Sequence, residues 1–130
     1  MKNSKAGIVA LSLSLATTLL TGCAAILVGA AVGAGTVVYV NGQLKAADDV
    51  SLDRAWNASL AAMDSLQFKV TKQQRDALAG NIVARGADDR KVEIWLKKQT
   101  DKVTEVRIRV GFFGDETLSR TIHSEIQKHF

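Results

Sequence analysis

Two histidines, thirteen carboxylates and one cysteine are the groups of this chain with the widest chemical reach. Catalysis needs such groups assembled, as a nucleophile beside a base, paired acids in a cleft, or a ligand cluster around a metal. His123 and His129 stand six apart and fall on different faces of a helix. His123 reads as a solvated residue on the polar side of that helix, and His129 lies near the chain's end. His123-Ser124-Glu125 puts triad residue types in succession, but neighbours on a helix point in different directions, so the order is coincidental. Gly33-Ala34-Gly35 lacks the rest of a dinucleotide-binding loop and follows no strand. One cysteine makes neither a disulfide framework nor a cysteine-based metal site. The residues therefore predict no catalytic site, no metal, no cofactor and no enzyme; a small hydrolase, the remaining alternative, would require a pocket uniting residues distant in sequence.

The chemistry that remains is that of recognition. Trp95 shares an outward parity with Glu93 and Lys97, and the next strand offers Arg107 and Arg109 at the same parity. A tryptophan beside arginines suits cation–π contact and has the composition of an interface hot spot. The same residues also read as cross-strand pairs that steady a sheet in water. On the first reading, Trp95, Lys97, Arg107 and Arg109 dock another envelope protein, a second copy of the chain, or an anionic headgroup.

Elements that can position these side chains are visible in the periodicity. Thr36 to Ala46 is β-like, with Val38, Val40 and Leu44 on one side by period two. Ser51 caps a helix over about residues 51–66, with Asp53 in its first turn and Leu52, Trp56, Ser59, Met63 and Leu66 as its apolar stripe. Trp56 and Met63 are core on this reading. Gln67 to Arg75 and Asp76 to Gly86 form two strands or one long bulged strand, with Phe68, Val70, Leu78, Ile82 and Ala84 sharing a parity. Lys91 to Gln99 alternates, with Val92, Ile94 and Leu96 inward. Val103 to Phe112 alternates too, with Val106, Ile108 and Val110 inward. Clean alternation means an antiparallel sheet with one face covered and the other open. A last helix starts near Gly114-Asp115-Glu116, and Leu118, Ile122 and Ile126 form its stripe. The order β-α-β-β-β-β-α predicts an α+β two-layer sandwich, an antiparallel sheet of four to five strands with both helices on one face.

Ahead of this domain, Lys2 and Lys5 precede an apolar run from Ala6 to Leu19, and Leu20-Thr21-Gly22-Cys23 follows. A basic start and a run too short to span a bilayer read as an export signal. The Leu-Thr-Gly-Cys sequence resembles the lipobox of bacterial lipoproteins. There the cysteine sulfur takes a diacylglyceryl group, the chain is cut before it, and the new amino terminus is acylated. The resemblance implies a signal peptide over 1–22, lipidation at Cys23, an apolar Gly/Ala-rich tether over 23–35, and a single domain over 36–130. Ala24, where an aspartate would follow in lipoproteins retained at the inner membrane, implies the outer membrane, facing the periplasm. The alternative is an uncleaved signal anchor in an inner-membrane complex, since Ala6 to Leu44 carries no charge. Without residues 1–22 the balance is 15 Lys+Arg against 13 Asp+Glu, too even to argue for nucleic acid.

Two further segments carry a wider likeness. Tyr39-Val40-x-Gly42-x-Leu44, and Arg107-Ile108-Arg109-Val110-Gly111-Phe112-Phe113-Gly114-Asp115-Glu116 followed by Ser119-Arg120-x-Ile122, resemble a family of small bacterial lipoproteins known only as a domain of unknown function. That resemblance implies a membrane-anchored envelope protein and brings no catalytic or binding residues with it. From the residues alone, Gly111 ends a strand, Phe112 or Phe113 packs under the last helix, and Gly114-Asp115 caps that helix.

Overall fold

The computed structural model of the chain describes residues 35–130. The expected signal peptide, Cys23 and the tether up to residue 34 lie outside the described residues. The elements are β1 (Val37–Val40), β2 (Gln43–Asp48), α1 (Leu52–Ser65), β3 (Lys69–Arg75), β4 (Ala79–Arg85), β5 (Lys91–Thr100), β6 (Val103–Val110) and α2 (Glu116–Lys128). All six strands join one antiparallel sheet in the order β1-β2-β6-β5-β4-β3. Both helices cover the same face of it. The architecture is thus the expected α+β sandwich, with six strands in place of four or five.

The extra strand comes from the segment read as one strand over Thr36 to Ala46. Asn41 and Gly42 have φ of 53° and 76°, so both sit in the left-handed region and turn the chain into a two-residue hairpin. An Asn-Gly pair is the strongest short hairpin signal, because its backbone twist matches that of the strands it joins. The turn also overturns the expected parity. Tyr39 pairs with Leu44 and shares its helix-side face, while Val38 and Val40 pair with Lys45 and Gln43 and face the other way.

β2 lies second in the sheet and β3 at its far edge, so α1 carries the chain across the helix side. Ser51 Oγ accepts from Arg54 N at 3.3 Å and starts it. Leu52, Ala55, Trp56, Ser59, Ala62 and Met63 form its buried stripe. Asp115 Oδ1 accepts from Leu118 N at 2.9 Å and starts α2. Between the helices and the sheet lie Leu44, Ile82, Val92, Ile94, Leu96, Val106 and Ile108, with Met63, Ile122 and Ile126 from above, all essentially without solvent contact. Burying each such side chain stabilises the fold by about 1.5–3 kcal/mol, before the entropy of ordering it is set against that gain.

β3 and β4 are two strands, with a bulge in β3 between Val70 and Lys72. Asp76 Oδ1 accepts from the backbone N of Leu78 (2.7 Å) and of Ala79 (2.9 Å), which closes the turn between them. Leu78, expected inward by parity, sits in that turn and is exposed.

Two further expectations fail for physical reasons. His123 is 4% exposed, because α2 buries Ser119, Ile122, His123 and Ile126 at i, i+3, i+4 and i+7. Its Nε2 lies 2.8 Å from Asp48 Oδ2, and Gln127 Nε2 donates to Asp48 Oδ1 at 3.0 Å. Two residues one turn apart thereby bolt α2 to the end of β2. Phe112 and Phe113, one of which is expected under the helix, are 83% and 88% exposed. Gly111 (φ 68°) and Gly114 (φ 87°) bend the connection outward before Asp115 begins the helix.

Candidate functional site

Residues that alternate with the core residues line the open face, and the register fixes their neighbours. Trp95 on β5 stands directly opposite Arg107 on β6 and Asn81 on β4, and Arg107 is opposite Lys45 on β2. Gln74 on β3 completes that row beyond Asn81. One row to one side, Lys97 faces Glu105; one row to the other, Glu93 faces Arg109. The four residues singled out from sequence, Trp95, Lys97, Arg107 and Arg109, therefore share one face, with Trp95 and Arg107 in direct cross-strand opposition.

Trp95 is half-buried between these neighbours rather than freely exposed. The expected cation–π contact falls elsewhere. Among the described residues it is Arg75 that lies over a tryptophan, Trp56, at 5.6 Å from the ring centroid. Trp56 itself covers Gly80, where an added Cβ would stand 2.7 Å from the ring.

Charge on this face is lopsided. Lys45, Lys69, Lys72, Arg85, Lys91, Lys97, Arg107 and Arg109 lie on it by register, against Glu93 and Glu105. Arg107 pairs with Glu105, Lys91 with Glu93 at 3.3 Å, and Arg85 with Asp89 of the β4–β5 turn at 3.7 Å. Lys45, Lys69, Lys72, Lys97 and Arg109 have no carboxylate within 4.0 Å among the described residues. The helices, by contrast, carry Asp53, Asp64, Glu116 and Glu125 against Arg54, Arg120 and Lys128, and ion pairs tie several of them together.

Two grooves cross the open face. The larger, ≈ 840 Å³, has Gln74, Leu78, Asn81, Trp95, Lys97 and Arg107 among its walls. The second, ≈ 550 Å³, lies between Arg90, Lys91, Glu93, Arg109 and Phe112. Asp76 borders the larger groove, and the backbone N–H groups of Leu78 and then Ala79 hold its carboxyl below the usual carboxylate range. Unmatched cations, an indole face and two side-chain amides can hold an anionic group together with a flat or apolar one. Among the described residues no group of three or more His, Cys, Asp or Glu could hold a metal ion.

Sequence reasoning missed the groove, since cavities form only when strands from different parts of the chain meet. It also missed the Asp48–His123–Gln127 cluster, in which Asp48 and His123 are buried. The signal was present, because His123 follows Ile122 and precedes Ile126 by three, which places it on the apolar stripe. Ser119 Oγ, one turn earlier, is buried with no hydrogen-bond partner among the described residues. The two segments that carry the family likeness meet in space. Gly42 and Gly114 touch so closely that a Cβ on Gly114 would stand 2.6 Å from Gly42 Cα, and Arg109 Nη2 donates to Phe112 O at 2.6 Å.

Fold and face define an α+β sandwich with one covered and one open, basic sheet face. The sequence model of the family described as protein of unknown function (DUF3568) matches residues 6–129, and the chain belongs to that family. No curated protein matches the chain. Among the described residues no helix is long and apolar enough to cross a membrane.

Proposed function

We propose that this chain is a lipid-anchored protein of the bacterial envelope, held through acylated Cys23, whose open sheet face binds an acidic partner surface without catalysis. The observation that carries the binding role is the excess of cations around Trp95, five of them without a carboxylate partner among the described residues. A sheet that needed only solubility would interleave both signs, as the helices do. Charge complementarity of this kind sets partner choice and encounter rate, while a half-buried tryptophan supplies contact area. Support for the anchor is the Leu20-Thr21-Gly22-Cys23 sequence behind a basic start and an apolar run. Several acyl chains on one cysteine would make release negligible, since each buried methylene adds about 0.8 kcal/mol. Ala24 after the cysteine favours the outer membrane facing the periplasm.

Two variants test the two halves separately. Cys23→Ser is expected to accumulate as an uncleaved precursor; a chain processed and located like the wild type would refute the lipid anchor and favour an uncleaved signal anchor. Lys97→Glu with Arg107→Glu is expected to keep the fold by circular dichroism and lose partner recovery from solubilised membranes. Unchanged recovery would refute the basic face as the docking surface.

A further inference from the structure

The connection from β6 to α2 holds its most apolar residues outward by construction. Phe112 and Phe113 are the most exposed large hydrophobic side chains among the described residues, and their rings meet edge to face with centroids 5.0 Å apart. Val40, 46% exposed, belongs to the hairpin whose Gly42 packs against Gly114. The backbone beneath is locked by Gly111 and Gly114 at positive φ, by the Gly42–Gly114 approach, and by the Arg109 Nη2 bond to Phe112 O. Asp115 caps α2 and also accepts from Arg90 Nη1 at 2.9 Å, which closes the far side of the loop. A fold that spends this much local order to keep two phenylalanines in water gives them an apolar destination.

We infer that Phe112, Phe113 and Val40 form a membrane-contact tip that enters the interfacial layer of the bilayer, with Arg109 beneath them meeting lipid phosphate. The inference rests on the Cys23 anchor proposed above. Aromatic rings flanked by a cation are the composition of interfacial anchors. Arg109 has no carboxylate within 4.0 Å among the described residues. Reach is sufficient. Residues 24–34 separate Cys23 from Gly35, and fully extended they cover at most about 40 Å. Gly35 to the Asn41-Gly42 turn is about 20 Å of strand, so the tip can meet the surface in which the acyl chains sit. The larger groove runs from Gln43, beside the tip, to the other strand ends at Asp76 and Leu78.

The test uses the full lipidated chain in vesicles of phosphatidylethanolamine and phosphatidylglycerol. An acylated Cys23 has its sulfur in a thioether, so a Phe113→Cys variant offers one free thiol for an environment-sensitive dye. Asp101→Cys, at a side chain 90% exposed at the opposite strand end, is the control. The expected result is a blue-shifted emission at position 113, quenched by lipids brominated on their acyl chains and independent of protein-to-lipid ratio, with water-like emission at 101. Water-like emission at both positions would overturn the tip. A blue shift that bromolipids do not quench, or that fades as protein is diluted in lipid, would overturn it in favour of contact with a second copy. Failure of the lipid anchor reads differently: the wild-type chain would then take up dye at Cys23, whether it floats with the vesicles through an uncleaved signal anchor or does not float.

Discussion

The two faces of the sheet are made by the same strands, residue by residue, and obey different physics. On β5, Val92, Ile94 and Leu96 point at the helices and lose all solvent contact, while Glu93, Trp95 and Lys97 point away and keep some. The covered face is close-packed and chemically uniform. The open face is cationic, grooved, and only partly neutralised by its own acids. Stability resides in the first and the proposed recognition in the second, and a one-residue slip in register would exchange the two sets of side chains.

Breaking the covered face has the largest effect. Asp48→Ala removes the acceptor of the buried His123 and of Gln127, two hydrogen bonds to a carboxyl that contribute about 1.5–3 kcal/mol each, read by chemical denaturation. Ile94→Ala opens a cavity in the centre of the core and is expected to cost about 2–5 kcal/mol. Trp95→Ala, one residue further along the same strand, is expected to cost at most about 1 kcal/mol while removing partner binding. Equal destabilisation by the Ile94 and Trp95 variants would erase the distinction between the faces.

Smaller changes sharpen it. Ser119→Ala removes a buried hydroxyl without a partner among the described residues, and an unsatisfied group costs about 1–3 kcal/mol. A gain of about 1 kcal/mol in denaturation is expected; a loss would mean that Ser119 Oγ has a bonding role. The smallest effect belongs to Asp76. Its carboxyl is held below its ordinary value in the folded chain, so its contribution to stability is complete above the unfolded value. That contribution fades as pH falls through the lowered one. Carboxyl NMR titration is expected to place Asp76 below the ordinary aspartate value, and Asp76→Asn to flatten the acid limb of stability.

The covered face was legible in the sequence because alternation and helical period are local signals. Val92, Ile94, Leu96, Val106, Ile108 and Val110 all point where period two sends them. The open face was legible in part, since Trp95, Lys97, Arg107 and Arg109 follow from the same alternation. Turn chemistry was the source of error. Asn41-Gly42 inverted the parity of Val38 and Val40, and Gly111 with Gly114 turned Phe112 and Phe113 outward. His123 was misplaced because residue type, polar and titratable, outweighed its position on the stripe. Grooves, and the pairing of Asp48 with a helix 75 residues later, depend on tertiary placement that no local pattern encodes.

The central claim is that the open sheet face is a docking surface and the helix layer is not. A photo-reactive residue placed at position 95, and separately at the exposed helix position 54, tests it in cells. The account predicts a discrete heavier adduct from position 95, identifiable by mass spectrometry, and none from position 54. No adduct from position 95 in membranes that contain the protein, or the same adduct from both positions, would contradict it.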